Sequence, residues 1–83
     1  MRKQYQAILR KVFNEELIHV RNDLSLTQEE MASLLSMDPR SYIELDHGKS
    51  GCSAVTLSLF LTVVAKEPED FLSKLREEFE SAC

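Results

Sequence analysis

Three helix-start signals, at Thr27, Asp38 and Ser53, constrain the fold of this chain more than any other feature of its sequence. Thr27 is followed three residues later by Glu30, which is the pattern of a capping box, where each side chain bonds the main-chain amide of the other residue. Asp38 is followed by Pro39, and proline suits the first position of a helix. These signals predict three helices that begin at or just after the capping residues.

A glycine marks the end of the second of these helices. Gly48 can adopt the left-handed backbone conformation without strain, and glycine is common just after a helix. The predicted helices at 27–35 and 38–46 are separated only by Ser36 and Met37. Two short helices joined by so tight a turn form a helix-turn-helix, at about residues 27–48, in which the second helix enters the major groove of DNA.

The remaining segments also show helical spacing. Apolar residues recur every three or four positions in residues 4–23 and again after Pro68. Residues 53–64 are apolar nearly all round, which predicts a helix buried on most sides at the centre of a bundle. The core stripe of the short second helix is expected to be Met31, Leu34 and Leu35. We therefore predict a compact all-α domain over residues 1–83, with five helices and an extended first helix.

The charge of the chain is acidic overall and unevenly distributed. The formal net charge is −4, which argues against broad affinity for nucleic acid, because phosphate binding depends on Lys and Arg. Residues 1–21 are nevertheless rich in bases, whereas residues 67–83 are rich in acids. A chain polarised in this way can still present one basic face to a partner.

Several other classes of protein are disfavoured. Cys52 and Cys83 do not make a disulfide framework, and no second ligand pair has the spacing of a zinc site. No apolar run approaches the roughly 18 residues that cross a membrane, and no secretion signal is recognisable. No nucleophile, base and orienting group occur together as catalysis would require. We expect a cytoplasmic protein that is not an enzyme and has no cofactor, metal or membrane partner.

Two stretches around the predicted helix-turn-helix follow a characteristic order of residue types. From Arg21 to Ala32 the chain has Arg, five residues, Thr, Gln, two polar residues, an apolar residue and Ala. From Tyr42 to Lys49 it has an apolar–x–x–apolar–acid–x–Gly–Lys ending, with Asp46 as the acid. In combination these stretches resemble the Xre/Cro-type, lambda-repressor-like family of DNA-binding domains. The resemblance extends over about residues 15–72.

The resemblance implies a role for each matching residue. Gln28, at the start of the second helix, would contact a DNA phosphate with help from the amides of that helix's first turn. Lys49 and Ser50 would contact phosphate beyond the third helix. Arg21 would pair with Asp46 and tie the first helix to the third. The residues implied to face the major groove are Asp38, Pro39, Arg40, Ser41 and Glu44.

The sequence also departs from the family pattern. The turn residue is often Gly and is here Ser36, so that either Ser36 accepts an unfavourable backbone angle or the turn differs slightly. The usual acid before the glycine is Glu and is here Asp46, and the usual Pro before the fourth helix is replaced by Cys52. Electrostatically the segment 27–50 is a poor surface for DNA, since Arg40 and Lys49 are its only bases. Its acids are Glu29, Glu30, Asp38, Glu44 and Asp46.

The residues of the third helix have alternative interpretations. Arg40 can donate two hydrogen bonds to guanine or one to phosphate, or it could be an ordinary surface residue. Glu44, one helical turn later, could accept from cytosine, could orient Arg40, or could repel DNA. Ile43 could touch a thymine methyl, but we expect it to pack against the protein. We expect His47 to be a helix-end residue and not a base reader.

Two functions are compatible with these features. The first is sequence-specific binding of double-stranded DNA by a small, repressor-like transcriptional regulator, expected to be a homodimer because one such domain reads few bases. The second is a protein-interaction module, or an antitoxin-like partner, that keeps the fold with weak or no DNA binding. The candidate dimer surfaces, which could also pack within one chain, are the first helix around Tyr5, Ile8 and Leu9 and the stripe Phe71, Leu72, Leu75 and Phe79.

Overall fold

The computed structural model describes residues 2–82, and over this range the chain is helical and contains no strand. Helix α1 spans Arg2–Asp23, α2 spans Gln28–Leu34 and α3 spans Pro39–Asp46. Helix α4 spans Ala54–Leu59 and continues directly into a π-helical turn, Phe60–Val64, which is followed by α5, Pro68–Ser81. The predicted all-α fold with five helices is confirmed for the described residues.

The three start signals act as helix caps. The hydroxyl of Thr27 accepts from the amide of Glu30 at 3.1 Å, and the Glu30 carboxylate accepts from the amide of Thr27 at 2.9 Å. Asp38 accepts from the amide of Ser41 at the start of α3, and Ser53 caps α4 in the same way. These bonds satisfy amides that the first turn of a helix leaves without a partner within the helix.

The first three helices end in one left-handed motif. The residue after each C-cap has a positive φ, which is 55° at Ser25, 54° at Ser36 and 73° at Gly48. In each motif the amide of this residue and the amide of the following residue donate to carbonyls of the last helical turn at 2.8–3.1 Å. This is the Schellman arrangement. Ser36 therefore takes the unfavourable angle, and Ser25 takes the same angle.

The core is centred on three phenylalanines from distant parts of the chain. Phe13 of α1, Phe60 of the π-helical turn and Phe71 of α5 meet edge to face, with ring centroids 5.2–6.2 Å apart. All three side chains are buried. The prediction that Phe71 is a dimer contact is therefore wrong, because this ring is only 1% exposed and packs inside its own chain.

Two predicted core faces are more exposed than expected. Helix α4 and the π-helical turn are not buried on most sides, since Val55 and Val63 are 69% and 56% exposed. Neighbouring helices bury this segment fully along one strip and cover Leu57, Leu59 and Leu61 in part, whereas Val55 and Val63 face solvent. Leu34, expected in the core stripe of α2, is also exposed. The buried residues of the α4 strip are Thr56, Phe60 and Val64.

Helix α1 connects the two halves of the structure. Its 22 residues extend about 33 Å, and it packs against both α3 and α5. Near its start, the Gln4 side chain donates to the carbonyl of Ala82 at 3.3 Å, and the Tyr5 ring meets Phe79 edge to face at 5.2 Å. Because Phe13 also packs against Phe71, α5 lies along much of α1, while Asn14 and Arg21 of the same helix contact α3.

Candidate nucleic-acid interface

Helix α3 has one buried face and one exposed face. Tyr42 and Leu45 are buried in the core between α3 and the helices that pack against it. Ile43 is 39% exposed, so the expectation that it packs against the protein is wrong. The exposed face presents every residue that the resemblance places in the major groove, namely Asp38, Pro39, Arg40, Ser41 and Glu44.

Behind this face, the buried carboxylate of Asp46 accepts hydrogen bonds from three side chains. Arg21 Nε and the Tyr42 hydroxyl donate to Oδ1 at 3.1 Å and 2.9 Å, and Gln28 Nε2 donates to Oδ2 at 3.1 Å. The implied ion pair of Arg21 and Asp46 is thus present in the structure, with side chains 19% and 5% exposed. Because a buried charge needs a partner and hydrogen bonds, this cluster fixes α1, α2 and α3 at one point.

The Tyr42 hydroxyl is held in its protonated, donating form. Burial of the ring, and then the hydrogen bond to Asp46, raise the pKa of Tyr42 far above its ordinary value. The phenol therefore remains a hydrogen-bond donor throughout the physiological pH range. The buried bond behind α3 does not depend on the titration of Tyr42 under these conditions.

Gln28 has a structural contact that sequence reasoning did not predict. One N–H of its side-chain amide is directed at Asp46, 18 residues later in the chain. A side-chain amide has two N–H donors, so a contact from Gln28 to phosphate requires the second one. The bond to Asp46 holds the Gln28 side chain against the last residue of α3.

Asn14 of α1 is a further site residue that sequence reasoning missed. Its Nδ2 donates to the main-chain oxygens of Leu45 and Asp46 at 3.1 Å and 2.8 Å. Carbonyls at the end of a helix lack partners within that helix. Asn14 bonds two of those in α3, and the carbonyl of Leu45 accepts from the Gly48 amide as well. The available signal was spacing: Asn14 and Arg21 are seven residues apart, about two helical turns, and so share a face of α1.

Most acids of the segment 27–50 are engaged within the chain. Asp46 lies in the buried cluster, and Glu30 and Asp38 accept from amides at helix N-termini, where the helix dipole favours negative charge. The main-chain amide and then the hydroxyl of its capping partner lower the pKa of Glu30. The acids left facing solvent without such contacts are Glu29 and Glu44.

The two bases of this segment are accessible to a partner. Arg40 lies in the first turn of α3, and Lys49 follows Gly48 beyond its end; both side chains are exposed. Within residues 2–82, neither base forms an ion pair. In particular Glu44 makes no bond to Arg40, so the alternative in which Glu44 orients Arg40 is not realised in this structure. Both bases are therefore free to contact an anion.

A second candidate surface lies between the start of α1 and residues 72–80 of α5. Leu72 is 49% exposed there, whereas Leu75 packs partly against the core. At the rim, Arg76 Nε pairs with the Glu80 carboxylate at 3.1 Å. The rim charges thus neutralise each other. The groove, of about 610 Å³, is lined by Tyr5, Leu72, Leu75, Arg76, Phe79 and Glu80.

Among residues 2–82, Cys52 and the other ionisable groups do not add a metal site. Cys52 is a half-buried free thiol whose pKa is raised by burial, and Cys83 lies outside the described residues. In the described part of the chain, no three His, Cys, Asp or Glu side chains come together as metal ligands. None of the helices between residues 2 and 82 is long and apolar enough to cross a membrane.

Comparisons of the chain with protein-family models, curated proteins and solved structures give no match. What bears on its function is therefore the arrangement of its own residues. The features that bear on it most are the exposed face of α3, the accessible Arg40 and Lys49, and the Asp46 cluster that holds this face in place.

Proposed function

We propose that this protein binds double-stranded DNA in a sequence-specific manner and acts as a small, repressor-like transcriptional regulator of the lambda-repressor-like, Xre/Cro-type family. The observation that carries the proposal is the exposed face of α3, with Arg40 accessible, on a helix fixed from behind by Asp46. An exposed polar helix face held by a buried charge cluster suits recognition of a rigid partner, because few groups must be ordered on binding.

The dimensions of α3 support docking in the major groove. Its eight residues extend about 12 Å, and the major groove of B-DNA is about 12 Å wide. In this arrangement Arg40 donates to guanine O6 and N7, and Glu44 accepts from cytosine N4. Gln28 through its second N–H, the amides of the first turn of α2, Lys49 and Ser50 contact the backbone and set the register of the helix.

We propose further that the protein is a homodimer that joins two copies through the groove between α1 and α5. A two-fold interface places one surface patch against the same patch of the partner, so unpaired charges on it would meet like charges. Here Arg76 and Glu80 are paired within the chain, and the groove exposes Leu72. Both features suit self-association. With Phe71 in the core, the dimer stripe consists of Leu72, Leu75 and Phe79, together with Tyr5.

The second candidate function is a protein-interaction module without DNA binding. It is favoured by the exposed Glu29 and Glu44 near the proposed interface, and by the bond that directs Gln28 towards Asp46 instead of towards solvent. A partner with a basic surface would suit this acidic rim. The two functions differ in one measurable property, since only the first gives salt-sensitive binding to duplex DNA.

The test of the proposed function is a selection of bound sequences from a pool of random duplex DNA, with binding then measured at several salt concentrations. We expect enrichment of a two-fold symmetric sequence whose half-sites are about one helical turn, or a multiple of it, apart. We also expect affinity to fall steeply as salt rises. No enriched sequence, together with no salt-dependent binding, would sink the regulator and favour the protein-interaction module.

A further inference from the structure

A basic groove lies where the first half of α1 passes the loop that follows α3. Its lining includes the bases Lys3, Arg10 and Lys11, and no acid lines it. Lys3 and Arg10 are seven residues apart, which brings them to the same side of α1 after about two helical turns. Asn14 and Gly48 line the end of the groove nearest α3, and its volume is about 460 Å³.

The bases of this groove are available to an anion. All three side chains are exposed, and among residues 2–82 none of them takes part in an ion pair. The Arg10 guanidinium extends over the loop, with Nη2 and Nε 3.6 Å and 3.7 Å from the place a Cβ would occupy at Gly51. Lys49, also exposed, lies in the same loop. In a chain of net charge −4, these bases form a local positive field of the kind that attracts an anionic partner.

The position of the groove relative to α3 indicates which anion it faces. Asn14 bonds the last carbonyls of α3 and Gly48 follows that helix, so the groove adjoins the C-terminal end of α3. Helix α3 is about as long as the major groove is wide. When its first turn faces the DNA base pairs, its C-terminal end therefore lies beside the sugar-phosphate backbone. We infer that this groove binds phosphodiester groups of duplex DNA just outside the bases read by α3, an inference that rests on the proposed DNA binding.

This contact adds affinity without adding sequence preference. Phosphates carry no information about the nucleotide sequence. Basic side chains that contact them therefore strengthen binding to all sequences and position the protein along the duplex. The groove thereby supplies positive charge that the helix-turn-helix itself lacks, since Arg40 and Lys49 are the only bases between residues 27 and 50. The long first helix is the element that brings this charge to the end of α3.

The test compares the variant Arg10→Gln/Lys11→Gln with the control Lys66→Gln/Lys74→Gln. Both change the net charge equally, but Lys66 and Lys74 lie outside the groove. The probes are the duplex selected by the unchanged protein, once with flanking base pairs and once trimmed to its half-sites. Binding constants are measured from 50 to 200 mM salt, and circular dichroism verifies that each variant is folded.

On the flanked duplex, we expect the groove variant to lower the slope of log affinity against log salt by about 1.8, or about 0.9 per lost phosphate contact. The ratio of the affinity of the unchanged protein to that of the groove variant then falls about 12-fold between 50 and 200 mM salt. On the trimmed duplex the difference disappears, and base preference is unchanged on both. The control variant keeps the original slope. If the double variant is not folded, Arg10→Gln and Lys11→Gln are tested singly, and each is expected to change the salt slope by half as much.

Three outcomes overturn the inference. If the unchanged protein binds its duplex and the groove variant keeps the original slope, the groove does not contact DNA. If the groove variant changes base preference, the groove does not act on the backbone. If it alters the solution mass of the protein without DNA, the groove instead binds an acidic segment of a second copy. Failure of the proposed function is recognised separately, because the unchanged protein then binds no duplex at any salt concentration.

Discussion

Gln28 donates a hydrogen bond to Asp46 at 3.1 Å, which joins the first residue of α2 to the last residue of α3. The two helices of the helix-turn-helix are therefore linked at their far ends as well as through the turn. Arg21 and Tyr42 share the same carboxylate, so one buried acid sets the angle between three helices. Loss of that acid should destabilise the packing of the whole helix-turn-helix.

Asp46→Ala is expected to lower the free energy of unfolding by about 3–5 kcal/mol, because it leaves Arg21 without its buried counter-charge and removes the acceptor of Gln28 and Tyr42. Urea denaturation followed by circular dichroism measures this change. The control is Glu44→Ala on the exposed side of α3, which should change stability by no more than about 0.5 kcal/mol. Equal small effects from both substitutions would show that the Asp46 cluster does not stabilise the fold.

Ser36→Gly is expected to stabilise the protein by up to about 1 kcal/mol, since glycine removes the steric cost of a positive φ in the turn. The matched control is Ser33→Gly within α2, where glycine has no such benefit and should destabilise by about 0.5 kcal/mol. Thermal unfolding of the two variants should therefore shift in opposite directions. A destabilising effect of Ser36→Gly would contradict the strain assigned to this turn.

Arg40→Ala and Lys49→Ala are expected to weaken DNA binding in different ways. Arg40→Ala should cost about 1–3 kcal/mol on the selected sequence and relax the preference at one base position, because a base-reading contact is lost. Lys49→Ala should weaken binding to all sequences alike and lower the salt slope by about 1. Binding to a set of single-base variants of the selected duplex separates the two. A uniform loss with Arg40→Ala would identify it as a phosphate contact.

Leu72→Glu is expected to convert a homodimer into a monomer, because it places a like charge at the centre of a two-fold apolar interface. Leu72 is already half exposed, so the fold of the single chain should remain intact. Val63→Glu introduces the same charge at an exposed apolar position on the π-helical turn and should leave the dimer unchanged. Analytical ultracentrifugation reports the mass of both. A monomeric unchanged protein at high micromolar concentration would refute the dimer itself.

The capping box at α2 should contribute to the acid sensitivity of the protein. The pKa of Glu30 is lowered in the folded state, so its contribution to stability is present above its ordinary value of 4.5 and is lost as pH falls through the folded pKa. Glu30→Gln, which cannot titrate, should therefore differ from the unchanged protein more at pH 6 than at pH 3. NMR titration of the Glu30 carboxyl carbon measures the pKa directly. A value at or above 4.5 would contradict the capping contact.

Helix ends were predictable from the sequence because they depend on neighbours only three residues apart. The caps at Thr27, Asp38 and Ser53 and the stop at Gly48 are local contacts of this kind. Gln28 and Asp46, by contrast, are 18 residues apart, and their bond exists only once two helices have packed. No local pattern could have predicted it.

Burial was harder to predict than helix position. An apolar stretch shows that a helix can be buried, but the side that is covered depends on which helices pack against it. Val63 and Leu34 are therefore exposed although their types suggested the core, and Phe71 is in the core although it was expected at an interface. The Arg21–Asp46 contact was anticipated only through the resemblance, since spacing alone does not relate α1 to α3.

The strip of α4 that meets the core has a consequence for sequence tolerance. Its buried positions recur at every fourth residue, whereas successive fourth residues of a regular α-helix drift by about 40° around the axis. The π-helical turn is closed by the bond from the Ala65 amide to the Phe60 carbonyl at 2.8 Å. A π-helical turn has more residues per revolution than an α-helix, so it compensates for this drift and keeps Val64 in line with Thr56 and Phe60. Of this segment, Thr56, Phe60 and Val64 are then the most tightly constrained, and the partly buried Leu57, Leu59 and Leu61 less so. Substitution at the most exposed apolar positions of this segment, Val55 and Val63, should therefore leave the core and the helix-turn-helix undisturbed.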